Sequence, residues 1–179
     1  LAQASLYRGA IASVRGDTQQ AIEKITFAQE RLPREKHLLQ ARGFFSLGVA
    51  YEISGQTELA VENYLKSSEE AQFVGELFLV IHSLCAAAQV QVSQGLLYQA
   101  EQVCQGAIQI AEGKRFPPLG LAESILGSIA LERNDLTSAE EFLQDGIALS
   151  RRGGLIDDVI FGLSYLARFH AYQGRVSNA

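Results

Sequence analysis

The residues best equipped for chemistry are few and scattered. Three histidines occur, His37, His82 and His170, with two cysteines, Cys85 and Cys104. A metal face on a helix needs ligands three or four residues apart, and no two histidines have that spacing; no C-x-x-C is present either. The sequence therefore predicts no metal centre and no cofactor. His82 and Cys85 stand three apart on one predicted helix, so a base and a thiol could in principle meet there. Their apolar neighbours assign them instead to packing or to a groove lining. The carboxylates of Glu69-Glu70, Glu140-Glu141 and Asp157-Asp158 are adjacent in sequence, which turns them different ways on a helix and makes them solvated surface. With no paired acids, no G-x-x-x-x-G-K-[ST] loop and no nucleophile with a base beside it, the chain reads as a binder rather than an enzyme.

Composition narrows the classes of partner. Of 179 residues, 47% are apolar and 20% charged, which is ordinary for a folded protein. The net charge of -5 and a longest basic run of Arg151-Arg152 argue against direct contact with nucleic acid. Arg151 and Arg152 close a predicted helix, where cations complement its dipole. No apolar stretch approaches the roughly 18 residues of a membrane span. The start, Leu1-Ala2-Gln3-Ala4-Ser5, lacks the basic and apolar regions of a signal peptide. Two cysteines are too few for a disulfide framework, so a reducing, cytoplasmic setting is expected. The chain contains no methionine, even at position 1, and so looks like an interior piece of a longer protein.

What must position any binding groups is a repeat. Gly16, Gly55, Gly95, Asn134 and Gly174 are spaced by 39, 40, 39 and 40 residues. The alanines five residues later, Ala21, Ala60, Ala100, Ala139 and Ala179, keep that spacing, as do the small residues seven earlier, Gly9, Gly48, Ala88, Gly127 and Ala167. Small side chains in the middle of one helix and at the start of the next let two backbones approach to about 8 Å. Glycine or asparagine at the turn accepts the left-handed conformation that ends a helix. Polar starters follow, and Thr137 with Glu140 has the spacing of a capping box. Apolar residues at helical steps, such as Phe44, Leu47, Tyr51, Ala60 and Tyr64, complete each amphipathic pair.

The predicted architecture is all-α: a right-handed superhelical solenoid of antiparallel, tetratricopeptide-like helix pairs, about four and a half repeats long. Helices are expected at 2–15, 18–31, 37–54, 57–73, 76–94, 97–112, 118–133, 136–151 and 155–173. They form one repeat domain over 1–179, with units 2–36, 37–75, 76–115, 116–154 and 155–179. The fifth unit stops at Ala179, where its second helix should begin. That predicts truncation, with self-association through the exposed terminal helix, Leu155 to Gln173.

Several stretches resemble the long-repeat region of the large ATP-binding LuxR-type transcriptional regulators of the MalT type. They are Arg8-Gly9-Ala10-Ile11-Ala12 through Gly16-Asp17; Leu47-Gly48-Val49-Ala50-Tyr51-Glu52 with Ser54-Gly55-Gln56; and Pro117-Pro118-Leu119-Gly120-Leu121-Ala122 with Leu126-Gly127, continuing from Glu132 through Asp135-Leu136, Ala139-Glu140 and Gly146-Ile147 to Arg151-Arg152. The family usually has Trp where this chain has Arg133. The resemblance covers essentially the whole chain. It implies a sensor arm that receives an inducer or a partner protein, placed between a nucleotide-binding switch domain and a helix-turn-helix that both lie outside this sequence.

In such a solenoid the first helix of each pair lines the concave face. Using the small-residue columns as a register, the inward positions are Gln3, Leu6, Ala10 and Ser13; Arg42, Phe45, Val49 and Glu52; His82, Cys85, Gln89 and Ser93; Ser124, Ser128, Leu131 and Glu132; and Phe161, Ser164, Arg168 and Tyr172. The candidate binding residues drawn from them are Arg42, Phe45, Glu52, His82, Gln89, Ser128, Glu132, Arg168 and Tyr172. Their mix of aromatic and hydrogen-bonding groups suits a small-molecule inducer or a protein or peptide partner, with the other domains of the same chain as further contacts. The alternative is a general protein- or peptide-binding tetratricopeptide scaffold unrelated to transcription.

Overall fold

The turn inside each helix pair is built the same way four times over. At each, an amide reaches back over five residues to a carbonyl: Asp17 to Ala12 at 3.0 Å, Gln56 to Tyr51 at 2.8 Å, Leu96 to Gln91 at 2.9 Å and Asp135 to Ala130 at 2.9 Å. This is the Schellman closure, and it needs a left-handed residue just before the donor. Gly16, Gly55, Gly95 and Asn134 supply it, with φ running from 58° at Asn134 to 78° at Gly16. Gly174 has the same conformation at the end of the last helix, with φ of 69°.

A computed structural model describes residues 1–174, and among these all regular structure is helical, with no strand. The helices are α1 (Ala2–Val14), α2 (Thr18–Gln29), α3 (His37–Ile53), α4 (Thr57–Phe73), α5 (Leu77–Ser93), α6 (Leu97–Ile110), α7 (Leu119–Glu132), α8 (Leu136–Gly153) and α9 (Ile156–Tyr172). Ala179, the fifth member of the alanine column, lies outside the described residues. Two compact units are present, Leu1–Val90 and Gln91–Ala179.

Within the first unit α1 packs on α2, α3 on α4, and α3 also on α1 and α2. Within the second, α7 packs on α6, α8 and α9, and α8 on α9. The predicted small-residue column explains the pairing. A Cβ added to Gly9 would stand 2.5 Å from Ile25 Cγ1, one on Gly48 2.5 Å from the Tyr64 ring, and one on Gly127 2.7 Å from Leu143 Cγ. The large partners lie four residues beyond the alanine column, so each glycine is the hole that accepts one knob. Ala21, Ala60, Ala100 and Ala139 are all fully buried.

A second pair of small columns has the same period and lies at further helix contacts, Gly43 against Leu6 and Gln29, Gly146 against Gly120 and Ser124, and Gly162 against Ile147 and Ser124. One is Ala28, Ser67, Ala107 and Gly146; the other is Gly43, Ser83, Ala122 and Gly162, and every member is buried. Where both positions carry hydroxyls, Ser67 and Ser83 hydrogen-bond at 2.9 Å.

The start of α8 departs from the sequence expectation. Asp135, not Thr137, is the N-cap: its carboxylate accepts the Ser138 amide at 3.1 Å, so Thr137 and Glu140 do not form a capping box. Hydrogen bonding from the Ser138 side chain first, and then from its amide, holds the Asp135 carboxyl below its ordinary range. The reason is local, since the Schellman turn already places residue 135 at the helix boundary. Asp17 caps α2 in the same way, accepting from the Gln20 amide at 3.2 Å. Asp17→Ala is expected to cost about 1 kcal/mol, read as a lowered denaturation midpoint with an unchanged m-value.

Candidate functional site

The candidate binding residues fall into two sets, one on each compact unit. In the first unit α3 carries Arg42, Phe45 and Glu52, while α5 carries His82 and Gln89. Arg42 and Glu52 are exposed; Phe45, His82 and Gln89 are half-buried. A chain of rings runs through this set. Phe45 lies 5.3 Å from the buried Tyr64 and stacks on His82 at 5.1 Å with 25° between planes, and His82 meets Phe78 at 5.7 Å. Stacking of this kind fixes both rings in one orientation at little entropic cost. Glu52 anchors the lower end by accepting the Tyr64 hydroxyl at 2.6 Å. Burial first, and then the Glu52 charge and hydrogen bond, push the Tyr64 hydroxyl well above the usual phenol range, so it stays a donor.

In the second unit the groups converge more closely. Arg168 on α9 donates from Nη2 to Glu132 Oε1 at the end of α7, at 2.8 Å. The guanidinium lies over the Tyr165 ring, 5.1 Å from its centre. The Glu132 hydrogen bond first, with a further one to Tyr172, raises the Arg168 pKa. The ion pair is 46% and 40% exposed on its two side chains, and Tyr172 is 66% exposed. Tyr165 was absent from the sequence candidates, although its spacing three residues before Arg168 on one helix face was legible.

Ser128 corrects the expectation. It is fully buried and its hydroxyl donates to the Ile125 carbonyl at 2.7 Å, so it offers nothing to a ligand. Ser124 and Leu131, its neighbours in the register, are buried as well. The cause is that α7 is packed by α6, α8 and α9 together; only Glu123 and Glu132 of this helix escape burial. Leu6, Ser13 and Cys85 are likewise core rather than lining. Cys85 is wholly buried, and His82 stacks on Phe45. Burial, and then the nearby Glu101 charge, push the Cys104 thiol up to about 12, far from a thiolate at neutral pH.

Two further constellations escaped the sequence. His37 Nδ1 is 2.7 Å from Glu70 Oε2, and its ring stacks on Phe73 at 4.8 Å beside an open hollow of about 370 Å³ lined by Glu69, Gln72 and Phe73. Partners 33 residues apart carry no local signal. Arg133, which stands where the resembled family has Trp, makes a two-pronged ion pair with Glu101 at 3.1 and 2.7 Å. It holds the Glu101 carboxyl below its usual range. The planar guanidinium fork thereby bridges α6 and the end of α7.

Among the described residues no group of three His, Cys, Asp or Glu could hold a metal ion, and no helix is long and apolar enough to cross a membrane. The arrangement offers exposed hydrogen-bonding groups beside aromatic faces, which is recognition chemistry.

The sequence profile of the MalT-like TPR region matches residues 2–179. No curated protein sequence matches the chain. Among solved structures, the crystal structure of BtubC (BKLC) from P. vanneervenii is similar, with a TM-score of 0.70 and 16% identity, covering 96% of this chain and 72% of that one. The apo form of RapI is similar with a TM-score of 0.74 and 15% identity, covering 99% of this chain and 78% of that one. At these identities the two structures speak for the helical-repeat fold alone.

Proposed function

The chain belongs to the MalT-like TPR region family, and from that premise we propose that it is the sensor or interaction arm of a LuxR/MalT-type transcriptional regulator. It is a helical-repeat region of a kind that typically serves as a non-catalytic scaffold. In this reading residues 1–179 form one repeat domain of five units. The arm takes up a protein or peptide partner, or a small-molecule inducer, in the cytoplasm. That partner or inducer biases a switch domain outside this sequence by binding two conformations of the arm with different affinity. The exposed Ile156, Ile160 and Leu163 on α9 make self-association through that helix part of the proposal.

The observation that carries the reading is the Arg168 cluster. A half-exposed guanidinium held by one exposed carboxylate, with one tyrosine ring beneath it and a second beside it, can be competed for by an incoming polar group. The aromatic faces then supply contact area with little entropy to lose. Arg42, Phe45, Glu52, His82 and Gln89 are the corresponding candidates on the first unit.

The test is a thermal-shift panel of small sugars, nucleotides and other metabolites, with a library of short peptides. For whichever probe shifts the melting temperature, Arg168→Ala is expected to weaken affinity by about tenfold or more, as loss of a charge-assisted hydrogen bond does. Ser128→Ala is expected to leave affinity unchanged. A probe whose affinity survives both Arg168→Ala and His82→Ala would show that the binding surface lies elsewhere.

A further inference from the structure

The repeat columns expose an exception in the second unit. Leu39, Leu79, Pro118 and Asp158 occupy one column, spaced by 40, 39 and 40 residues. A carboxylate thus stands where three units place an apolar residue. Asp158 is only 6% exposed, and its Oδ2 is buried with no hydrogen-bond partner. The neighbouring column, Leu32, Ala71, Ala111 and Ser150, breaks the same way, and the Ser150 hydroxyl is also buried and unpartnered. A third such atom, Ser124 Oγ, lies 2.9 Å from where a Cβ on Gly162 would stand.

Asp158 and Ser124 belong to the seat of α9, while Ser150 lies against Gly120 of α7. Gly162 packs against Ile147 of α8 and Ser124 of α7. Asp158 lies one turn earlier on the same face of α9. The α7–α8 surface that receives α9 is itself tightly closed at Gly120 and Gly146: a Cβ on either glycine would fall 2.6 Å from the other's carbonyl oxygen. A buried polar atom without a partner costs free energy, and a buried charge costs more.

The neighbouring charge that acts on Asp158 is a like one. On α9 itself Asp157 adds a like charge. On α8 the charged residues nearest in register are Arg151 and Arg152, both exposed. On α7 it is Glu123, which Arg115 engages together with Asp145. Asp158 sits in the first turn of α9, where helix dipoles favour an anion. Burial nevertheless outweighs the dipole: desolvation first, then Asp157, push the carboxyl up from 3.8 to about 6.

We propose that the N-terminal half of α9 is a proton-gated docking element, seated on α7 and α8 when Asp158 is neutral and loosened when it ionises. The sign follows from linkage. Below pH 3.8 the carboxyl is neutral whether α9 is seated or not, and docking is strongest. As pH rises from 3.8 to about 6 the unseated form loses its proton first, and docking weakens by up to tenfold per unit, about a hundredfold in all. Above about pH 6 both forms are ionised and the loss levels off. Because α9 also carries Arg168 and Tyr172, the device sits in the helix that presents those groups.

The test is amide hydrogen exchange on the whole chain, taken as protection factors for residues 159–164 relative to those of α7 in the same molecule. In the wild type this ratio is expected to fall between pH 4.5 and 7. In Asp158→Asn it should be flat. Asp158→Leu, which restores the column's apolar residue, should be flat and higher. His170→Gln removes the other ionisable group of α9 with a buried, unpartnered atom, and should keep the wild-type fall. A flat ratio in the wild type, a fall that persists in Asp158→Asn, or a fall abolished by His170→Gln would overturn the proposal; if the leucine variant fails to fold, the asparagine variant decides.

Discussion

Gly146→Ala should destabilise the second unit by about 3 kcal/mol, although helix propensity alone would favour alanine by about 1 kcal/mol. The added methyl would stand 2.6 Å from the Gly120 carbonyl oxygen, 2.7 Å from the Ser124 amide nitrogen and 2.5 Å from its hydroxyl. Two of those three are backbone atoms of α7, so no rotamer change relieves the clash and the helices must part. Parting them also lifts α8 from Ser124 and Gly162, which share the contact. Gly106 supplies the contrast. It lies in α6 with nothing within 4 Å of its would-be Cβ, so Gly106→Ala is expected to stabilise by about 0.5–1 kcal/mol through chain entropy and propensity. Chemical denaturation of both variants, followed by hydrogen exchange of α7 and α8, checks the pair. Equal and stabilising effects would mean that the two helices are not in backbone contact.

Tyr64→Ala is the corresponding test in the first unit, with an expected loss of about 4 kcal/mol. The side chain is 2% exposed, its ring fills the hole left by Gly48, and its hydroxyl reaches Glu52. Tyr64→Phe keeps the ring and should cost only about 1.5 kcal/mol, the value of a hydrogen bond to a charged group. Coupling sharpens the test. Gly48→Ala should be strongly destabilising beside Tyr64 and nearly neutral in the Tyr64→Ala background, because the methyl then enters vacated space. Additive effects of the two substitutions would dismiss the hole-and-knob account of the α3–α4 pair.

A single rule thus governs both units, and it bears on the binding surface. The glycine and alanine columns decide how deeply each helix sits, and depth decides which positions remain exposed. In α3 the seat leaves Arg42 and Glu52 at the surface. In α7 contacts with three helices take Ser124, Ser128 and Leu131 into the core. A register drawn from sequence treats those helices alike, and for that reason it misplaces Ser128.

What the sequence determined by itself is the helical class, the helix bounds to within about two residues, the left-handed turn residues and the pairing of α1 with α2, α3 with α4 and α7 with α8. All of these rest on signals that are local or strictly periodic: a residue that tolerates positive φ, a small side chain at a crossing, apolar residues at helical steps. The second set of columns, from Ala28 to Gly146 and from Gly43 to Gly162, was equally periodic and could have been read. Tertiary structure alone decided the rest. Arg168 meets Glu132 across 36 residues, His37 meets Glu70 across 33, and Arg133 meets Glu101 across 32. It also decided that Asp158, apparently half of a solvated acid pair, is buried. Burial is a property of how many neighbours close over a position, and no single helix encodes how many will.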